Sequence, residues 1–132
     1  MIRLPAVMPR RNNEAALRFA DRRRREDEAP KLLGQVPGLT RLEIEIEERS
    51  GAGGTKHIRR FALDNAPALF LVACGDPRCL DGEHDLTMDV MRALRARQAS
   101  FHGHDDCSGA IGSSPCARVV HFEGTAQYDP AH

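Results

Sequence analysis

Hydrophobic and acidic residues alternate strictly in the segment LEIEIE, residues 42–47. Successive side chains of a strand point to opposite faces, so the aliphatic side chains share one face and the glutamates share the other. A glycine-rich segment, GAGG at 51–54, separates this strand from KHIRRFAL at 56–63. The pattern predicts a β-hairpin with one buried face, in which Arg59 or Arg60 meets the glutamate row across the strands.

Two segments show the periodicity of three to four residues that is typical of amphipathic helices. Residues 12–29, NNEAALRFADRRRREDEA, are strongly charged and carry only a thin apolar face. Residues 84–99, HDLTMDVMRALRARQA, place Leu86, Val90 and Leu94 four positions apart, which makes one face continuously apolar. We expect both segments to be helical, with the second packed against a sheet.

The remaining apolar segments complete the predicted fold. Residues 68–74, ALFLVAC, are apolar on both faces and predict a central strand, while 100–106 and 116–128 predict two later strands. The predicted order is α-β-β-β-α-β-β, a mainly antiparallel sheet of about five strands with two helices on one face, which is the α+β class. We expect one domain over all 132 residues, with flexible ends at 1–12 and 129–132.

The charges of the chain balance, with 19 basic and 19 acidic residues. A net charge of zero argues against a strong overall attraction to nucleic acid or to a membrane surface. One basic run remains a candidate for nucleic-acid binding, although three acidic residues follow it at once and aromatic residues for stacking are scarce. This run consists of Arg22, Arg23, Arg24 and Arg25.

No apolar stretch approaches the roughly 20 residues that a membrane-spanning helix needs. The longest, APALFLVAC at 66–74, is far shorter, and the start MIRLPAVMPRR lacks the apolar core of a secretory signal. We therefore expect no membrane association and a cytoplasmic location, where thiols stay reduced. Four cysteines in that compartment favour metal or redox chemistry over structural disulfides.

The four cysteines form two pairs. Cys74 and Cys79 have the spacing C-x4-C around a turn with glycine and proline, and Cys107 and Cys116 have the spacing C-x8-C around a loop rich in glycine and serine. Four thiolates complete the tetrahedral shell of a structural zinc ion. We expect such a zinc site at one edge of the sheet, although the second spacing is longer than usual for zinc ligands.

Three histidines are candidate substitutes for a cysteine in this shell, because zinc also accepts mixed cysteine and histidine ligands. His84 follows the first cysteine pair, and His102 and His104 lie just before the second. His102 and His104 are two residues apart and share one face of a predicted strand. Since the four cysteines already fill the shell, we expect these histidines to be ordinary polar residues.

These patterns favour a binding or interaction module with a structural zinc ion and an unknown protein partner over an enzyme. No phosphate-binding loop, dinucleotide-binding, serine-hydrolase or zinc-protease motif occurs in the sequence. The alternative is a metal-dependent or thiol-based redox enzyme that uses the same cysteines with His102 and His104. An iron–sulfur cluster fits less well, because the cysteine spacing matches neither common ferredoxin order.

Overall fold

A computed structural model describes residues 10–50, 53–80 and 82–130 of the chain. The expectation of flexible ends falls in part on residues 1–9 and 131–132, which lie outside the described residues. The helices and strands follow one another in this order: α1 (Arg10–Glu28), α2 (Leu32–Gln35), β1 (Leu39–Ser50), β2 (Gly53–Arg60), β3 (Leu71–Ala73), β4 (Glu83–Asp85), α3 (Thr87–Arg95), β5 (Ser100–Asp106), β6 (Ala110–Ile111), β7 (Ser114–Pro115) and β8 (Val119–Tyr128).

The largest sheet has four antiparallel strands in the order β2-β1-β8-β5. The predicted hairpin is confirmed as β1 and β2, and Glu43 lies directly opposite Arg60. Arg60 Nε donates a hydrogen bond to Glu43 Oε1 over 2.9 Å, which is the cross-strand charge pairing that the alternation predicts. The α+β class and the mainly antiparallel sheet are therefore confirmed.

The number and order of the strands differ from the predicted five-stranded arrangement, α-β-β-β-α-β-β. Within residues 68–74 only Leu71–Ala73 is a strand, and it pairs with β4 in a separate two-stranded sheet. Phe70, just before this strand, and Val72, within it, are buried because the segment packs into the core beside the main sheet. An apolar run of this length does not distinguish a central strand from a segment that crosses the core.

Helix α3 is also shorter than predicted. It runs from Thr87 to Arg95, so it ends before the predicted segment 84–99 does, and Glu83–Asp85 in front of it form strand β4. The Asp85 carboxylate accepts the backbone N–H of Thr87 over 3.0 Å, and Thr87 Oγ1 accepts the backbone N–H of Phe70 over 2.9 Å. These bonds fix the start of the helix against the segment that precedes β3.

The core lies on one face of the four-stranded sheet. The inner positions of β1 and β8 meet side chains from α3 and from the segment around β3, which gives a two-layer packing. The largest fully buried side chains are Phe70, Phe122, Leu32, Leu42, Ile44, Ile46, Leu86, Leu94, His84, Val90 and Val120. The other face of the sheet carries glutamate, lysine, histidine and threonine and faces the solvent.

Helix α1 lies on the outside of this packing. From residue 16 to residue 28 none of its side chains is buried. Arg25 connects the helix to the body through an ion pair of 2.6 Å between its Nη2 and Glu83 Oε2. In the described part of the chain, no helix has the length and apolar character needed to cross a membrane.

Candidate metal centre

Two loops converge at the end of the sheet where β5 finishes and β8 begins. The first loop carries Cys74 and Cys79 between β3 and β4, and the second carries Cys107 and Cys116 between β5 and β8. Leu80 N–H donates to the carbonyl of Ala110 over 2.8 Å, and Ala110 N–H donates back over 3.1 Å. This reciprocal bridge holds the two loops side by side and brings their cysteines to one point.

The four sulfur atoms form a compact group in which every pair of Sγ atoms lies within 4.8 Å. The Sγ atoms of Cys74 and Cys116 are 3.9 Å apart, and those of Cys79 and Cys107 are 3.6 Å apart. A tetrahedral zinc ion with Zn–S bonds of about 2.3 Å separates its sulfur ligands by about 3.8 Å. The four cysteines are free thiols, and their spacing matches the shell of a single ion.

A small hairpin explains how the long C-x8-C spacing still converges. Strands β6 and β7 pair across a turn in which Gly112 has a positive φ of 61°, a conformation that favours glycine. The hairpin returns the chain, and Cys116 N–H then donates to the carbonyl of Gly109 over 2.9 Å. The additional residues between Cys107 and Cys116 therefore form this hairpin, and the two sulfur atoms remain close together.

Two glycines provide the space beside the sulfur atoms. A Cβ atom on Gly82 would lie against Cys79 Sγ and 2.9 Å from Cys107 Sγ. A Cβ atom on Gly109 would lie 2.5 Å from Cys79 Sγ and 2.6 Å from the Cα of Gly82. A real Cβ atom does not approach sulfur or carbon this closely, so the close packing of the two loops requires glycine at positions 82 and 109.

Three of the sulfur atoms accept a backbone N–H from the residue two positions later. Gly109 donates to Cys107 Sγ over 3.4 Å, and the backbones of Asp76 and Arg118 donate to Cys74 and Cys116. An N–H group directed at sulfur favours the thiolate over the thiol. The backbone of both loops is thus arranged to support negatively charged ligands.

Without a bound cation, burial disfavours the negatively charged thiolate form of the cysteines. Burial raises the pKa of the Cys74 thiol to about 12, and it also raises the pKa of the Cys79 thiol. Burial acts in the same direction on Cys116, but the N–H of Arg118 and the other thiols outweigh it and lower its pKa. A divalent cation at the centre would stabilise all of the thiolates and release their protons.

A partly buried ion pair between Glu48 and Arg118 supports both loops from the side of the main sheet. Glu48 is a buried residue near the end of β1, and both of its carboxylate oxygens accept the backbone N–H of Gly75 over 3.0 Å. Arg118 donates to the same carboxylate through its guanidinium group, and its carbonyl accepts the N–H of Cys107 over 3.0 Å. Glu48 and Arg118 therefore connect Gly75, the neighbour of Cys74, and Cys107 itself to the main sheet.

Sequence reasoning identified the cysteines but not Glu48, Arg118, Gly82 or Gly109. A signal for Glu48 was present in the alternation of β1, because it lies two residues after the buried Ile46 and so shares the inward face. A carboxylate on a buried face needs a partner, which points to a cation nearby. The sequence contains no comparable signal for Arg118.

The candidate histidine substitutes lie elsewhere. His84 is fully buried in β4, where its Nδ1 is 3.1 Å from the carbonyl oxygen of Asp105. His102 and His104 are exposed on β5. In the described chain, the one group of three or more histidine, cysteine or acidic residues whose ligand atoms converge consists of the four cysteines.

The arginine run is separate from the cysteine group and is partly neutralised. Arg24 pairs with Asp21 over 2.7 Å and with Glu28 over 3.2 Å. Arg25 pairs with Asp21 over 3.0 Å and with Glu83 over 2.6 Å. Two of the four guanidinium groups are therefore occupied by carboxylates of the protein itself.

The cysteine group has the chemistry of a closed metal shell. Four thiol ligands leave no position for water or substrate on a tetrahedral ion, so the arrangement can hold an ion but not activate a water molecule on it. Three of the four cysteines are buried, which protects such a shell from the solvent. Comparison of the chain with protein-family models, curated proteins and solved structures found no match.

Proposed function

We propose that this chain is a small zinc-binding protein in which Cys74, Cys79, Cys107 and Cys116 hold one structural zinc ion. The observation that carries the proposal is the convergence of the four sulfur atoms within 4.8 Å, with contributions from two loops. The ion would join these loops permanently, because its bonds to four thiolates are also contacts that stabilise the folded state. We place the protein in the cytoplasm, where the thiols stay reduced and available to the metal.

The size of the sulfur shell supports a single ion over an iron–sulfur cluster. A cluster inserts several irons and bridging sulfides between its cysteines, which spreads the sulfur ligands further apart than one ion does. The separations of 3.6 and 3.9 Å agree with the roughly 3.8 Å expected around one tetrahedral ion. Among single ions, zinc is the one that a tetrahedral set of four thiolates typically selects.

The same geometry supports a binding module over an enzyme. A closed shell supplies no reactive position on the metal, and His102 and His104 do not join the sulfur group. Helix α1 exposes two large apolar side chains, Leu17 and Phe19, at 70 % and 60 % of their surface. Exposed apolar surface on an outlying helix suits contact with a protein partner.

The zinc content of the purified protein and of single variants tests the metal site. We expect a colourless protein with one zinc ion per chain, as measured by elemental analysis and the visible spectrum. Cys107→Ser should release the ion and lower the melting temperature, because a structural zinc ion contributes to folding. The second ligand variant, Cys74→Ser, should have the same effect from the other loop.

The control is His57→Ala, an exposed residue on β2 that lies outside the cysteine group. It should keep its zinc and change the unfolding free energy by no more than about 0.5 kcal/mol, as is typical of surface positions. A Cys107→Ser variant with the zinc content of the unaltered protein would contradict the proposal. A brown protein containing iron and sulfide would contradict it as well.

A further inference from the structure

Three histidines and one glutamate form a block on the solvent-facing side of the sheet. In the pairing of β5 with β8, His104 lies opposite His121 and His102 lies opposite Glu123. Residues two apart on a strand share a face, so all four side chains are on the same side. Phe101, which precedes His102, is buried in the core, so His102 and the rest of the block lie on the outer face.

The ligand atoms of these four side chains do not converge within 4.8 Å in the structure, but the strand geometry lets them reach one ion by rotation about their side-chain bonds. Directly opposed residues have Cβ atoms about 4.5–5.5 Å apart, and diagonal neighbours are about 7–8 Å apart. The ring centroids of His104 and His121 are 5.8 Å apart, with the planes tilted by 31°. Two imidazoles that share an ion at about 2.0–2.1 Å have ring centres about 5 Å apart, so rotation about the side-chain bonds closes the remaining gap.

The neighbouring charged residues leave the Glu123 carboxylate available to bind a cation. The neighbouring glutamates, Glu45 and Glu47, are paired with Lys56 over 3.2 and 3.5 Å. No ion pair connects Glu123 to another residue within the described ranges. Glu123 and His121 line a surface depression of about 90 Å³ together with those three residues. A cation bound beside Glu123 and His121 would therefore meet a carboxylate without an ion-pair partner among the described residues, although Lys56 and Arg49 also line this depression.

We propose that His102, His104 and His121, with Glu123 as an oxygen ligand, form a second metal site on the outer face of the sheet. Imidazole ligands suit zinc, nickel and copper, so the ligand class is a divalent transition-metal cation. The site is exposed and leaves coordination positions for water. It binds more weakly than a buried shell of four cysteines, because exposed side chains lose conformational freedom when they converge.

A nickel titration of the full chain, with zinc already present at the cysteines, tests this site. Calorimetry should show about one equivalent of Ni²⁺ bound, with the cysteine-bound zinc retained in elemental analysis. His104→Ala and His121→Ala should each weaken Ni²⁺ binding by at least about tenfold, and His102→Ala should also weaken it. Paramagnetic Ni²⁺ should broaden the imidazole proton signals of these three histidines selectively.

The matched control is His57→Ala. His57 is exposed on the same sheet but lies opposite the buried Ile46, so it belongs to the other face. This variant should bind Ni²⁺ as the unaltered protein does. The proposal is overturned if the unaltered protein binds no Ni²⁺, if His57→Ala weakens binding as much as His104→Ala, or if His121→Ala leaves the affinity unchanged.

Discussion

Single residues decide how closely the two cysteine loops approach each other. Gly82 and Gly109 face the sulfur atoms at distances that no Cβ atom tolerates, and Glu48 holds the N–H of Gly75 from the sheet. These residues are not metal ligands, yet the convergence of the ligands depends on them. Residues that orient ligands often affect metal affinity nearly as strongly as the ligands themselves.

Gly82→Ala should therefore weaken metal retention and destabilise the protein by about 1–3 kcal/mol, the usual cost of overpacking. The added methyl group would contact Cys79 Sγ and Cys107 Sγ and push the loops apart. Denaturant unfolding and competition with a chelator measure the two effects.

Gly34→Ala is the matched control for this change, because a Cβ atom on Gly34 would meet nothing within 4 Å. Gly34 lies in the short helix α2, where alanine is favoured over glycine. The control should be neutral, or more stable by up to about 1 kcal/mol. Equal effects of the two substitutions would show that the space beside the sulfurs is not limiting.

At the scale of elements, helix α1 differs from the rest of the fold. Arg24 and Arg25 pair with acidic residues of the helix and with Glu83, and α1 contributes no buried side chain between residues 16 and 28. Such a helix depends on its own charge pairs and on its connection to β4, because tertiary packing stabilises it little. The exposed surface of α1 is also where the remaining nucleic-acid hypothesis can be tested.

We expect little binding of oligonucleotides by the full chain at physiological salt. Arg24 and Arg25 are paired with acidic residues, and the net charge of the chain is zero. Fluorescence anisotropy with labelled single- and double-stranded oligonucleotides measures the affinity. Replacing the two other arginines of the run, Arg22 and Arg23, with glutamine should change this weak binding little and leave both ion pairs intact. Tight binding that falls steeply with salt would contradict the expectation.

For the whole molecule, the apolar core and the cysteine group are separate clusters. The core joins the main sheet to α3 and contains none of the cysteines, while the second cluster consists of the cysteines with Ile111 at its side. A chain of 132 residues can bury a sufficient core without metal. The two clusters should therefore respond differently to loss of the ion.

Removing the ion with a strong chelator should unfold the two cysteine loops but leave the four-stranded sheet folded. Hydrogen exchange followed by NMR measures this directly. In the chelated protein, the amides of Leu80 and Ala110 should lose their protection, because their reciprocal bridge lies between the loops. The amides of Ile44 and Val120 in the sheet should keep most of theirs. Complete unfolding on chelation, or unchanged protection at Leu80, would contradict this division.

Local sequence patterns predicted the elements whose strands are adjacent in the sequence and have one face buried and one face exposed. The alternation around Ile44 predicted the β1–β2 hairpin, because the two strands are adjacent in sequence and each has one buried face. The prediction of a central strand at residues 68–74 was wrong. A run that is apolar on both faces occurs both in a central strand and in a segment packed beneath a sheet. Which of the two occurs depends on partners far away in the chain.

The α+β class, the main hairpin and the two cysteine pairs follow from the sequence alone, because periodicity and ligand type are properties of short segments. The tertiary structure was needed to show that all four sulfurs meet, that Glu48 and Arg118 support them, and that His104 lies opposite His121 and His102 opposite Glu123. Those outcomes depend on strand register and on contacts such as that between Leu80 and Ala110. Register is set by the packing of the whole sheet, so no short segment encodes it alone.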